Sequence, residues 1–193
     1  FSRSTDKMKT IRKSGGKRDV IVAFGAPMAM SSNAAEVKKK VFELSIRTWD
    51  QYTLSLETIP KAFLRSMKNS TTGYAVADVD GGPVSQLKLM TACALFRKVI
   101  GRSSGQNTGI LLPTSSAAAI ANLAALMAGK TVVNLNFTAP MDAIESALKQ
   151  AEVETIVTAR RFVKKLKARG IDPEVIFEGR DILYMEDIKA QTS

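Results

Sequence analysis

The sequence contains no histidine and a single cysteine, Cys93. Without histidine the chain holds neither a Ser-His-Asp nor a Cys-His arrangement, and no imidazole-ligated metal. One cysteine excludes both a disulfide framework and a thiolate metal cluster. Cys93 lies in an apolar pattern of helical spacing and is expected to pack in the core, because a reactive thiol needs a base nearby. Aromatic residues make up only 6% of the chain. Nothing therefore offers the aromatics interleaved with basic residues that nucleic-acid stacking requires. No apolar run approaches the roughly 20 residues that span a bilayer, and no signal peptide is visible. No G-x-G-x-x-G occurs, which leaves a Rossmann dinucleotide site unsupported.

What is present suffices for a folded core. An apolar share of 45% over 193 residues fits one ordinary domain or parts of two. The net charge of +10 is uneven, with eleven basic and five acidic residues among the first fifty. Such a basic end suits anionic lipid headgroups or phosphate, and ordinary solvated lysines account for it equally well. The chain opens on Phe1, so its true start is expected to lie elsewhere or to have been removed.

The organising stretch is Asn107 to Pro140. Gly109–Leu112 reads as a buried strand, Pro113 and Thr114 break it, and Ser115 or Ser116 can cap a helix over Ala117–Ala128. Gly129 ends that helix, and Thr131–Leu135 supplies a second, β-branched strand. Strand, helix and strand in about thirty residues make a βαβ unit and so imply a parallel sheet. Around it, residues 1–19 read as a basic loop or arm, Val20–Phe24 as a strand, and Val37, Val41 and Leu44 as one face of a helix. Lys38, Lys39 and Lys40 interrupt that face and are expected on a solvated side, with Trp49 a packing anchor. Leu54–Met67 is expected as a helix with Pro60 near its start, and the polar stretch 68–73 as a boundary. A short strand over Tyr74–Val79 and a turn over Asp80–Pro83 precede a long helix from Val84 to Gly101. After the βαβ unit come a helix over Pro140–Ala151, a strand over Val153–Thr158 and a basic helix over Arg160–Arg169. Val175–Phe177 and Ile182–Tyr184 are expected as short extended segments. From residue 84 onward the order is αβαβαβαβ, for which a doubly wound sheet is the natural architecture.

Several motifs fail on their context. Gly129-Lys130-Thr131 matches the end of a P-loop, but the glycine five residues earlier is Ala124. A helix precedes it and a strand follows, the reverse of what a phosphate loop needs. Asp78 with Asp80, and Glu186 with Asp187, lack the oxygen-rich loop of a cation site and are expected in turn and surface roles. Ser115 and Ser116 stand where helix amides attract anions, yet capping explains them more simply. Arg160 and Arg161 are expected as an exposed helix start. Without a signal peptide the sequons Asn69-Ser70-Thr71 and Asn136-Phe137-Thr138 are expected to be coincidence.

Taken together, GILLPTSSAAAIANLAALMAGKTVVNLNFTAP, the helix after it and VETIVTARRF resemble the beginning of an AMP-forming adenylate synthetase. The order is a strand ending in leucine-proline, an alanine-rich helix, a glycine, and a strand ending near asparagine and proline. The likeness covers roughly residues 74–190, and LYMEDIKA near the end fits it. Upstream, FSRSTDKMK, VIVAFGAPM and the helix containing EVKKKVFEL resemble the tail of a glycerolipid acyltransferase domain. One domain feeding into the other is the layout of bifunctional enzymes that join a 2-acylglycerophosphoethanolamine acyltransferase to an acyl–(acyl carrier protein) synthetase.

The resemblance implies an α/β fold, a partial doubly wound sheet of the synthetase N-terminal subdomain preceded by a strand–helix tail. It divides the chain into an acyltransferase tail over 1–52, a helical linker over 53–73 and the start of the AMP-binding domain over 74–193. For the parent it implies ATP and Mg²⁺, acyl carrier protein and a lysophospholipid as partners, and the cytoplasmic face of a bacterial inner membrane. The acyltransferase His-x-x-x-x-Asp pair is excluded by the missing histidine. The synthetase's Ser/Thr/Gly-rich loop ending in Lys-Pro-Lys does not occur and is expected beyond Ser193. No catalytic, cofactor-binding or metal-binding residue is therefore assigned within the chain, which is expected to be inactive alone. Two other readings compete. One is an ordinary long-chain fatty acyl-CoA synthetase with an unrelated N-terminal extension. The other is a nonenzymatic module whose Arg12, Lys13, Lys17 and Arg18 engage an anionic membrane.

Overall fold

The structure, a computed structural model, describes residues 20–69, 72–79 and 81–192. The basic arm, Ser70, Thr71 and Asp80 fall outside the described residues. The chain divides into two compact units, residues 1–56 and 57–193.

Among the described residues of the first unit the helix α1 (Ala34–Ser55) dominates. Its start is a capping box: the Asn33 side chain accepts from the Glu36 amide at 2.9 Å, and Glu36 accepts from the Asn33 amide at 3.1 Å. Two otherwise orphaned donors are thereby satisfied. The expected strand at Val20–Phe24 is corrected to irregular chain. A strand exists through its ladder, and no described segment pairs with this one. Trp49 lies 5.7 Å from the Tyr52 ring and remains 60% exposed.

The second unit opens with α2 (Ile59–Asn69). The helix expected from Leu54 starts later because α1 runs on to Ser55, and Leu56 then turns extended. Pro60 occupies the first turn, where its missing amide costs nothing. Strands β1 (Tyr74–Asp78) and β2 (Gly82–Ser85) form an antiparallel hairpin. This corrects the expected helix start at Val84. Val84 pairs with Val76 in the hairpin, and α3 (Gln86–Ile100) begins after Ser85, whose hydroxyl accepts from the Lys88 amide at 3.3 Å.

From there the chain alternates. Strand β3 (Asn107–Leu111), α4 (Ser116–Met127), β4 (Thr131–Asn134), α5 (Met141–Gln150), β5 (Val153–Thr158) and α6 (Arg160–Ala168) follow in order. Helix α7 (Pro173–Phe177), β6 (Asp181–Tyr184) and α8 (Met185–Thr192) complete the chain. Val175–Phe177 is therefore helical rather than extended. Asp172 caps it by accepting from the Glu174 amide at 3.1 Å, and Pro173 at the first position suits a helix start.

The four strands are parallel in the order β4-β3-β5-β6. The alternation of side chains builds a core on each face. Ile110, Leu112 and Val157 meet α3, α4 and α8 on one side. Leu111, Leu135 and Ile156 meet α5, α6 and α7 on the other. Both faces being covered, β3 reads as a continuous apolar run rather than an alternating one. Two of the buried threonines close their own polar groups: Thr158 donates to the Leu111 carbonyl at 2.8 Å and Thr155 to that of Ser104 at 2.9 Å.

Candidate functional site

In an open parallel sheet, ligands bind beyond the carboxyl ends of the strands, where successive connections leave on opposite sides. Here β3 connects leftward to β4 and β5 connects rightward to β6, so that point lies between β3 and β5. Beside it, a cavity of about 560 Å³ opens beyond β3 and β4, lined by Asp78, Pro113, Ser115, Asn122, Asn134 and Phe137 among others.

The polar groups at this end of the sheet are largely committed to one another. The Ser115 hydroxyl accepts from the Ala118 amide at 3.2 Å and caps α4. The Ser116 amide donates to the Asp78 carboxylate at 2.6 Å, and the same carboxylate also accepts from the Gly81 amide. The hairpin thus delivers its own anion to the α4 amino terminus. Those donors, the Ser116 amide first, hold the Asp78 carboxyl below its ordinary range. Asn122 and Asn134 exchange side-chain amide hydrogen bonds of 3.1 and 3.0 Å across the opening.

On the β5–β6 side, Arg160 forms a two-pronged ion pair with Asp187 at 2.6 and 2.7 Å, and its guanidinium lies 4.3 Å over the Tyr184 ring. Its backbone amide donates to Glu186 at 3.2 Å. Hydrogen bonding within the pair raises the Arg160 pKa and lowers that of Asp187. Glu186 and Asp187, weighed above as a shared cation site, instead tie the start of α8 to the start of α6. The pairing joins residues 27 positions apart, so no local pattern could have announced it.

Gly129 adopts φ +79°, and its surroundings explain it. The Gly129 amide donates to Leu126 at 3.1 Å and the Lys130 amide to Ala125 at 3.0 Å. This crossed pair is a Schellman stop. Lys130 then folds its ammonium onto the carbonyls of Ser103, at 2.8 Å, and Gly105. The glycine-lysine-threonine sequence is thus a helix terminus, with its lysine spent on a loop. Cys93 is fully buried, and burial pushes its thiol up to about 11.

This geometry defines an open, parallel α/β sheet covered by helices on both faces. Comparison with solved structures bears on the fold. The N-terminal subdomain of Klebsiella oxytoca NpsA is 16% identical, with a TM-score of 0.57 over 72% of this chain and 33% of that one. A benzoate CoA ligase from Burkholderia xenovorans is 15% identical, with a TM-score of 0.58 over 72% of this chain and 29% of that one. The chain therefore spans about a third of the length of the solved structures it matches. The model of the AMP-binding enzyme family matches residues 89–189, more than half of the sequence, and the chain belongs to that family.

Enzymes of this family work with ATP and Mg²⁺. Among the described residues no three His, Cys, Asp or Glu side chains gather as a metal site. The α4 amides that could meet phosphate are engaged by Asp78 and Ser115, and Gly129–Thr131 is a helix stop. No chemical step is assigned to these residues.

Proposed function

We propose that the chain is an internal segment of a bifunctional phospholipid-remodelling enzyme and forms the joint between its two catalytic domains. The parent activates a fatty acid with ATP as an acyl-adenylate, loads the acyl group onto acyl carrier protein and acylates 2-acylglycerophosphoethanolamine. It works at the cytoplasmic face of a bacterial inner membrane. The carrying observation is the family match over residues 89–189 on a parallel sheet of order β4-β3-β5-β6. The likeness of residues 1–52 to an acyltransferase tail supports the second activity. In this reading the segment supplies a scaffold: two packed helical layers that hold the strands whose carboxyl ends face the adenylating centre.

The test is ATP–pyrophosphate exchange dependent on fatty acid, followed by acyl transfer to carrier protein and then to the lysophospholipid. The parent is expected to perform all three steps and the isolated 193 residues none. Exchange by the isolated residues would overturn the scaffold role. A parent that transfers to coenzyme A and lacks lysophospholipid acylation would be an ordinary acyl-CoA ligase, a reading that the match to a benzoate CoA ligase favours.

A further inference from the structure

Helix α6 is built against its own electrostatics. Its sequence, RRFVKKLKA, holds five cations and no carboxylate. Ala159 offers no side-chain cap at its start, and the first turn carries no acid. Lys165 and Lys167 in the last turn suit the helix dipole, whereas Arg160 and Arg161 in the first oppose it. Like charges three or four residues apart destabilise a helix further. What holds α6 in place is the burial of Phe162 and Leu166 on its inner side.

Carboxylates from other elements offset part of this charge along one edge. Arg160 pairs with Asp187 at 2.6 Å and Lys167 with Glu174 at 2.9 Å. Residues seven apart share a helix face, so both pairs run along the same side of α6. Arg161 and Lys164 are exposed beyond that edge, and among the described residues no carboxylate pairs with either. They stand three apart and repel each other, a cost that no contact within the folded unit offsets. The surroundings select what could offset it. Helix α6 contributes no exposed large apolar side chain, so it lacks the apolar face with which an interfacial helix enters lipid. A flat anionic surface laid on α6 would also meet Asp187 and Glu174, whose side chains are 49% and 67% exposed. A narrow element bearing its own carboxylates, about the width of one helix, reaches Arg161 and Lys164 and clears that acidic edge.

Building on the ligase reading, we infer that the outer face of α6 is a docking surface for the carrier protein that receives the acyl group. Arg161 and Lys164 carry the contact, donating charge-assisted hydrogen bonds to carboxylates on a helix of the partner. Exposed charges of this kind set the rate of encounter and the choice of partner more than they set raw affinity. The electrostatic cost within α6 is then a cost of recognition.

The parent is titrated with fluorescently labelled apo acyl carrier protein, which binds without accepting an acyl group. Arg161→Gln/Lys164→Gln is compared with Lys98→Gln/Lys149→Gln, which removes the same charge from exposed positions on α3 and α5. The expected result is about tenfold weaker binding for the α6 variant, with a flatter dependence on salt, and little change for the other. Its urea midpoint should hold or rise, because a repulsion has been removed, and ATP–pyrophosphate exchange, which needs no carrier, should keep its rate. Equal affinity in the α6 variant and the unaltered parent would overturn the inference while leaving exchange, and so the ligase reading, intact. An equal loss in both variants would make the effect one of net charge and also overturn it. A fall in the urea midpoint of the α6 variant with unchanged carrier affinity would make the two cations structural. Weaker binding to vesicles of anionic phospholipid, again with unchanged carrier affinity, would assign α6 to the membrane. Either result would overturn the docking role.

Discussion

Replacing Gly129 by alanine separates a helix stop from a phosphate loop. Gly129 sits at φ +79°, and a Cβ there meets nothing within 4 Å. The whole cost is therefore backbone conformation and not collision. A left-handed conformation costs an L-residue about 1–2 kcal/mol. Alanine recovers about 0.4–1 kcal/mol by restricting the unfolded chain. The net loss is about 1 kcal/mol, which for a unit of this size lowers Tm by roughly 3–5 °C. Asparagine tolerates the left-handed region, so Gly129→Asn should lose distinctly less. Urea unfolding gives the measure: the midpoint falls for alanine more than for asparagine, with the slope m unchanged. In the parent the KM for ATP stays at its original value in both variants. Alanine as stable as glycine, or a raised KM for ATP at unchanged stability, would refute the Schellman assignment.

Three further outcomes are expected. Leu148, 1% exposed in the α5 layer, should cost about 2–5 kcal/mol when replaced by alanine, read as a fall in the urea midpoint. Asp78 has a folded pKa below its unfolded one. Its contribution is present above the ordinary carboxylate range and is lost as pH falls through the lowered folded value. Midpoints taken from pH 7 to pH 3 should therefore fall less steeply for Asp78→Asn than for the parent sequence, and parallel curves would exclude the capping role. Cys93, buried and with a thiol raised to about 11, should react with a disulfide reagent at pH 8 only as fast as the chain opens. Labelling at the rate of a free thiol would contradict the packing.

The βαβ unit was legible because its signals are local. Gly109–Leu112 is too short for a helix, Pro113 breaks it, Ser115 caps, Gly129 stops, and the β-branched Thr131–Val133 resumes the sheet. The same local reading erred where a neighbour in space decided. Val84 has no helix-breaking feature of its own, yet pairing with Val76 draws it into a hairpin. Val20–Phe24 has strand composition but no described partner, and composition alone makes no ladder. At Val175 the error was local, since Asp172 and Pro173 are a legible helix start that three apolar residues in a row concealed.

The sequence by itself determined the fold class: periodicity and punctuation set the alternating elements, and the missing histidine excludes imidazole chemistry within these 193 residues. Only the tertiary structure decided what the polar residues do. Asp78 with the Ser116 amide, Arg160 with Asp187, and Lys130 with the Ser103 carbonyl are each joined by folding across 27 or more residues. Hydrogen bonds and ion pairs are short-ranged and directional, so their partners are chosen by where the sheet order places the loops. The same order, β4-β3-β5-β6, decided which helices share a layer.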